Sequence, residues 1–198
     1  MVFVKQMEKM KKIILLLTIS NVIFAQRNFD NDSILIWNSD RKINWNDFKS
    51  NDKTHSYEDA VAVITPSLII IPKTLSQKDI PNIKIVATLH KNMSWYLNNE
   101  DYVLIHEQGH FDITEIFARK FRKKIFEAKN SEMKLDLVFI TTLFESIDNE
   151  HWDFQSDYES ETQNGTNYNF QKKWNEKIRN ILEELKDFEL DVFIDEIK

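Results

Sequence analysis

His106-Glu107-Gln108-Gly109-His110, inside the segment from Asp101 to Lys129, decides how this chain reads. Two histidines four residues apart sit about 40° apart around an α-helix, one turn above the other. Both imidazoles can then reach one metal ion, and Zn²⁺ is the usual guest of such a pair. Glu107 projects beside them, where a carboxylate can take a proton from a metal-bound water. With 5 His in 198 residues, the H-E-x-x-H pattern arises by accident in roughly one such sequence per hundred.

That reading needs a helix, and the segment predicts one over 101–129. Asn99 or Asp101 is placed to cap it, and Glu100 and Asp101 suit the positive end of the dipole. Arg119, Lys120, Arg122, Lys123 and Lys124 gather toward the negative end, and no proline interrupts. Val103, His106, His110, Ile113, Phe117 and Phe121 follow helical spacing, so the two histidines interrupt an otherwise apolar, inward-facing stripe. Two core histidines with ordinary hydrogen-bonded partners would give the same stripe. Together with Glu107 they would put three polar side chains in or near the core, which is costly without a reason.

Downstream, two more helices are expected. Met133, Leu137, Ile140, Phe144 and Ile147 predict a helix over 132–150, which the stretch His151 to Tyr158 can continue. Phe170, Trp174, Ile178, Ile181, Leu182 and Leu185 predict a last helix over 168–188. Upstream, residues 26–100 read as a small β region. Its strands are Ser33 to Trp37, Ala60 to Thr65 and Leu68 to Ile71, with Pro66 and Pro72 at edge or punctuating positions. Ile83, Ile85, Ala87 and Leu89 alternate with Lys84, Val86, Thr88 and His90, the period of a half-buried strand with His90 on the outer face. Trp45 to Phe48 offers two aromatics, with Asp47 a cap for a short turn, and His55 falls in a polar loop. The fold expected is α+β: a small antiparallel sheet followed by three helices, with a zincin-like metal helix.

Residues 1–25 read as a signal peptide. Lys5, Lys9, Lys11 and Lys12 precede the apolar run Ile13 to Ala25, too short for a comfortable membrane span, with cleavage expected before Gln26. Residues 26–198 then form one domain, secreted or periplasmic, with no stable membrane span after cleavage. Setting aside the four Lys and one Glu of the first 25 residues, the rest of the chain carries a formal charge of −9. An acidic chain with no basic stripe argues against nucleic acid as a partner. Cysteine is absent, which leaves no disulfide framework and no thiolate ligand. The chain holds only two glycines, Gly109 inside H-E-x-x-H and Gly165 downstream, and so sparing a use predicts a backbone or packing reason for both.

A zinc centre on H-E-x-x-H takes one more protein ligand and keeps a position for water. Asp112 lies about 240° around the helix from His106 and faces away. The segment Tyr158-Glu159-Ser160-Glu161-Thr162-Gln163-Asn164-Gly165 is the better source, because it concentrates carboxylates before a glycine turn. Its phenol, Tyr158, could donate to the oxyanion that develops on a substrate carbonyl.

Several of these stretches resemble one bacterial family, the domain of unknown function 922, described as secreted zinc-dependent proteases. Trp45-Asn46-Asp47-Phe48 looks like its Trp-x-Asp-Phe motif, and Ser94-Trp95 is similar to the Ser-Trp pair before its zinc helix. His106 to Ile113, HEQGHFDI, is very close to its central motif. Tyr158 to Gly165 resembles Tyr-Asp-x-x-Thr-x-His-Gly, and Gln171 with Trp174 resembles the Gln-x-x-Trp that follows. The resemblance covers essentially the whole chain after residue 25 and implies zinc binding and peptide-bond hydrolysis. Two departures stand out: Glu159 replaces the family's Asp, and Asn164 replaces its His. If that histidine were the third ligand, Glu159, or Glu161 in its place, would have to serve here. The expected function is that of a metallopeptidase with Zn²⁺ on His106, His110 and Glu159, Glu107 as base, Tyr158 at the oxyanion, and a peptide or protein as substrate. Two others are a non-catalytic envelope binding protein with a degenerate or structural zinc site, and a zinc amidase of cell-wall peptides. Oligomeric state has no signature in the sequence.

Overall fold

The computed structural model describes residues 32–51, 60–72 and 83–189. The signal-peptide segment 1–25 with its cleavage point, and the loop histidine His55, lie outside the described residues.

The architecture is α+β: a small antiparallel sheet followed by three helices. Strand β1 (Ile34–Ile36) is followed by a 3-10 turn (Trp45–Asp47), β2 (Ala62–Val63), β3 (Pro66–Pro72), β4 (Ile83–His90) and β5 (Trp95–Tyr96). Helices α1 (Asp101–Asn130), α2 (Leu137–Thr162) and α3 (Tyr168–Glu184) complete it. One sheet runs β1-β4-β3, pairing Leu35 with Leu89 and Leu68 with Ala87; the other joins β2 to β5, Val63 opposite Trp95. Pro66 and Pro72 sit at the two ends of edge strand β3, where a missing backbone donor costs no central ladder bond. The turn at Trp45–Asp47 is capped by Asn44, and Asp47 answers by accepting from the Asn44 N–H at 2.9 Å. Asp47 is therefore the far half of a reciprocal cap.

Strand β4 departs from the half-buried strand its alternation predicts. It is the central strand, and Val86 and Thr88 on its second face are as buried as Ile85 and Ala87. His90, expected on the outer face, is half-buried.

Helix α1 is the central element, packing against β3, β4, α2 and α3. Phe111, Ile113, Ile116, Phe117, Phe121 and Ile125 are fully buried along it, each worth about 1.5–3 kcal/mol relative to exposure. Its N-cap is Glu100, without a side-chain cap bond, rather than Asn99 or Asp101. Two residues of the basic cluster do more than complement the negative end of the helix dipole. Arg119 and Arg122 are buried around Glu115, with Arg119 Nε and Arg122 Nη1 at 3.0 and 2.9 Å from Glu115 Oε1. Arg119 also donates to the Leu182 carbonyl, and Arg122 to those of Ile85 and Phe188. Buried charges survive only when paired and hydrogen-bonded, and this set ties α1 to the sheet and to the residues after α3.

Helix α2 begins later and ends later than its stripe predicts. Asp136 caps it by accepting from the Phe139 N–H at 3.0 Å, which leaves Met133 before the helix and exposed. No breaker follows Glu150, so the helix runs on through His151 and Tyr158 to Thr162. Most of the candidate ligand segment is therefore helical, and Gln155, Tyr158, Glu159 and Thr162 share the face that meets α1. Helix α3 ends at Glu184, with a 3-10 turn (Lys186–Phe188) after it. Among the described residues, no helix is long and apolar enough to cross a membrane.

Candidate metal centre

Helix α1 carries His106 and His110 on its α2-facing side, and α2 brings Glu159 to them. His110 Nε2 lies 3.3 Å from His106 Nε2 and 3.1 Å from Glu159 Oε1, and His106 Nε2 lies 3.5 Å from Glu159 Oε2. One ligand atom from each residue lies within 4.8 Å of the other two, and the group could hold a metal ion. Two observations fit that occupant. Glu159 Oε2 is buried without a hydrogen-bond partner, an arrangement that needs an explanation such as a cation. Each ring's other nitrogen is engaged: His106 Nδ1 at 2.9 Å from Gln171 Oε1, His110 Nδ1 at 2.6 Å from Gln155 Oε1. The Nε2 atoms are left facing inward.

Glu107 is buried and lies beside the two histidines. Its Oε2 accepts from the Ile64 N–H, just past β2, at 3.0 Å. Burial raises its pKa above the ordinary carboxylate range, against the pull of His110 and His106. Gln108 and Asp112, on the opposite side of α1, anchor the amino-terminal segment: Gln108 accepts from the Ile43 N–H and Asp112 from Trp37 Nε1. Asp112 faces away from the centre, as its angular position predicts.

Tyr158 is fully buried, and its ring stacks on that of His106 at 4.9 Å. Its hydroxyl donates to the His106 carbonyl at 3.0 Å and accepts from Gln171 Nε2 at 2.7 Å. Burial pushes its pKa further above the phenol value. Glu161 lies apart from the cluster, accepting from Trp174 Nε1 at 2.8 Å. Asn164 is exposed on the turn that ends α2, in left-handed backbone (φ 54°), its N–H bonded to the Glu159 carbonyl.

Both glycines serve this centre. A Cβ at Gly109 would overlap the Tyr158 hydroxyl, so only glycine lets Tyr158 slide under α1. At Gly165, φ is +80° and a Cβ would come within 2.8 Å of His106 Cγ. Gln163, Asn164 and Gly165 all hold positive φ, which folds the chain back onto the His106 ring.

Gln155 was not legible as a functional residue. The signal lay in spacing: it precedes Glu159 by four, so the two share a helix face. Gln171 enters the reading of the sequence only through a motif resemblance, and its contact with His106 is a product of the α1–α3 packing.

In the metal-free chain, burial lowers the His110 pKa but the Glu159 carboxylate outweighs it, and the net effect is a rise to about 9. Glu159 is correspondingly held well below the usual carboxylate range by the two histidines, despite its own desolvation. The raised His110 pKa stabilises the metal-free fold fully below its unfolded value of 6.5, and this contribution is lost as pH rises through about 9. The depressed Glu159 pKa stabilises above its unfolded value of 4.5 and is lost on acidification. A metal must displace the His110 proton. Calorimetry at neutral pH in buffers of different ionisation enthalpy is therefore expected to report about one proton released per ion, with affinity rising toward pH 9. Proton release of zero at neutral pH would show that His110 is neutral before binding.

No protein family, curated protein or solved structure matches this chain.

Proposed function

We propose that this chain is an exported zinc metallopeptidase, hydrolysing peptide bonds at the His106–His110–Glu159 centre. One observation carries the reading: the two Nε2 atoms lie 3.3 Å apart and the Glu159 carboxylate reaches both, Oε1 at 3.1 Å from His110 Nε2 and Oε2 at 3.5 Å from His106 Nε2. A tetrahedral Zn²⁺ with bonds of about 2.0–2.2 Å separates its ligand atoms by about 3.3–3.6 Å, and two nitrogens with one carboxylate are a familiar zinc donor set. Three protein ligands leave a fourth position, the mark of a catalytic rather than a structural site. The packing of α1 against β3 and β4, with Glu107 held by the Ile64 N–H just past β2, supports the same class.

His106, His110 and Glu159 would hold the zinc ion, which would supply a water of pKa about 7 and a Lewis acid for a substrate carbonyl. The chain's own residues do the rest. Glu107, held by the Ile64 N–H and with a raised pKa, takes a proton from the attacking water and passes it to the leaving amine. Tyr158 acts as a positioning residue in this reading, because its hydroxyl is already spent on the His106 carbonyl and Gln171. That same observation favours a second reading, a non-catalytic binding protein with a structural zinc, since the phenol expected at the oxyanion is engaged elsewhere. Hydrolysis of a peptide library by the wild type and by Glu107→Gln separates the two.

Export rests on the basic start and apolar run of residues 1–25. The mature protein is expected to begin near Gln26, checked by amino-terminal sequencing of material recovered outside the cytoplasm. An intact Met1 on all recovered protein would refute it.

A further inference from the structure

The donor directions around the two histidines can be deduced from groups that have no choice. A main-chain carbonyl only accepts, so the Tyr158 hydroxyl spends its one proton on the His106 carbonyl and offers a lone pair to Gln171. The end of the Gln171 carboxamide that meets Tyr158 must then be its N–H end, and its second N–H goes to Asn175 Oδ1 at 2.8 Å. Its oxygen faces His106 Nδ1, and an amide oxygen accepts only. His106 Nδ1 therefore carries the proton.

The same deduction holds on the other ligand. Gln155 Nε2 donates to the His110 carbonyl at 2.9 Å and has His151 Nε2 at 3.0 Å and Thr114 Oγ1 at 3.3 Å around it. Its oxygen lies against His110 Nδ1. Each chain of bonds leaves a histidine at its carbonyl and returns to the same histidine at its ring. Rotating or retautomerising either ring breaks its loop. Both glutamines are almost fully buried, so water does not compete for these bonds.

We propose that Gln155 and Gln171 are positioning residues that keep the proton on Nδ1 of His110 and His106 and aim each Nε2 at the metal position, setting the metal-binding face before the ion arrives. The inference rests on these histidines and Glu159 being metal ligands, and is independent of peptidase activity. The test uses the full chain and Zn²⁺ alone. Ring-nitrogen NMR of the zinc-loaded wild type is expected to show Nδ1 protonated and Nε2 metal-bound on both histidines. Zinc affinity, measured by competition with a chromophoric chelator, is expected to fall about 10–100-fold in Gln155→Leu and in Gln171→Leu, the range for loss of an orienting partner. Gln171→Glu keeps an oxygen against His106 Nδ1 while losing both N–H donors, and is expected to stay within a few-fold of wild type.

Zinc held through Nδ1, Leu variants that bind as tightly as wild type, or a Glu variant as weak as Leu would each overturn the proposal, the last by showing that the oxygen against His106 Nδ1 is not what Gln171 supplies. The NMR measurement needs no variant and decides the tautomer even if a Leu variant fails to fold. A wild-type chain with no affinity for zinc would overturn the metal reading itself and the tautomer lock with it, whereas equal binding by wild type and the Leu variants sinks the lock alone.

Discussion

Glu107→Gln is expected to retain zinc and fold and to lose hydrolysis of an unfolded-protein or peptide-library substrate by about 10²–10⁴-fold, on the order of 3–5 kcal/mol of barrier. Glutamine keeps the size and the acceptor oxygen that meets the Ile64 N–H. It removes the basic lone pair and the ability to carry a proton. Position 107 is one residue, about 100° around the helix, from His106, and Glu107 is not one of the converging donor atoms. Loss of zinc on this substitution is therefore not expected. Equal hydrolysis by both forms would remove Glu107 from the mechanism. No hydrolysis by either, with full zinc content, would favour the structural-metal reading. A variant that loses zinc or melts far below the wild type would make Glu107 a structural partner of the histidines.

Glu159→Gln and Glu161→Gln are expected to part company sharply. Two carboxylates two residues apart on α2 point about 200° apart around it, so only one can serve α1. Glu159 contributes both oxygens to the histidine cluster, while Glu161 is bonded to the indole of Trp174. Removing the only anionic ligand also removes the charge that favours a dication. The expected loss of zinc affinity in Glu159→Gln exceeds the about 10–100-fold typical of an orienting partner, with Glu161→Gln near wild type, both read by chelator competition. The reverse order would reassign the third ligand. Glu159→Gln should also lower the His110 pKa from about 9, since burial lowers it and the Glu159 carboxylate is the largest of the groups that raise it. Titration of the metal-free variant by NMR checks that shift.

What covalent geometry and local periodicity dictate was legible in the linear chain. An H-E-x-x-H spacing on an unbroken amphipathic segment puts both imidazoles on one face whatever the rest of the chain does. The apolar stripes of 101–129 and 168–188 were enough for two helices, and alternation was enough for β4. The scarcity of glycine was also informative, because Gly109 and Gly165 are both places where a Cβ would strike the centre.

The remainder depended on contacts between residues far apart in sequence. Glu159, with Glu161 as its alternate, could be named in a linear reading but not decided between; the crossing of α2 over α1 brings Glu159 to the histidines and leaves Glu161 on the Trp174 indole. Tyr158 offered a free hydroxyl on paper, and burial beneath Gly109 gave it to the His106 carbonyl. Arg119 and Arg122 looked like the dipole-complementing end of a helix until Glu115 and the carbonyls of Ile85, Leu182 and Phe188 closed around them. The alternation in β4 hid a strand buried on both faces, because centrality in a sheet is a property of its neighbours. Period and spacing act through the chain's own bonds and are local; ligand choice and side-chain partnership are settled by packing between helices that no local pattern encodes.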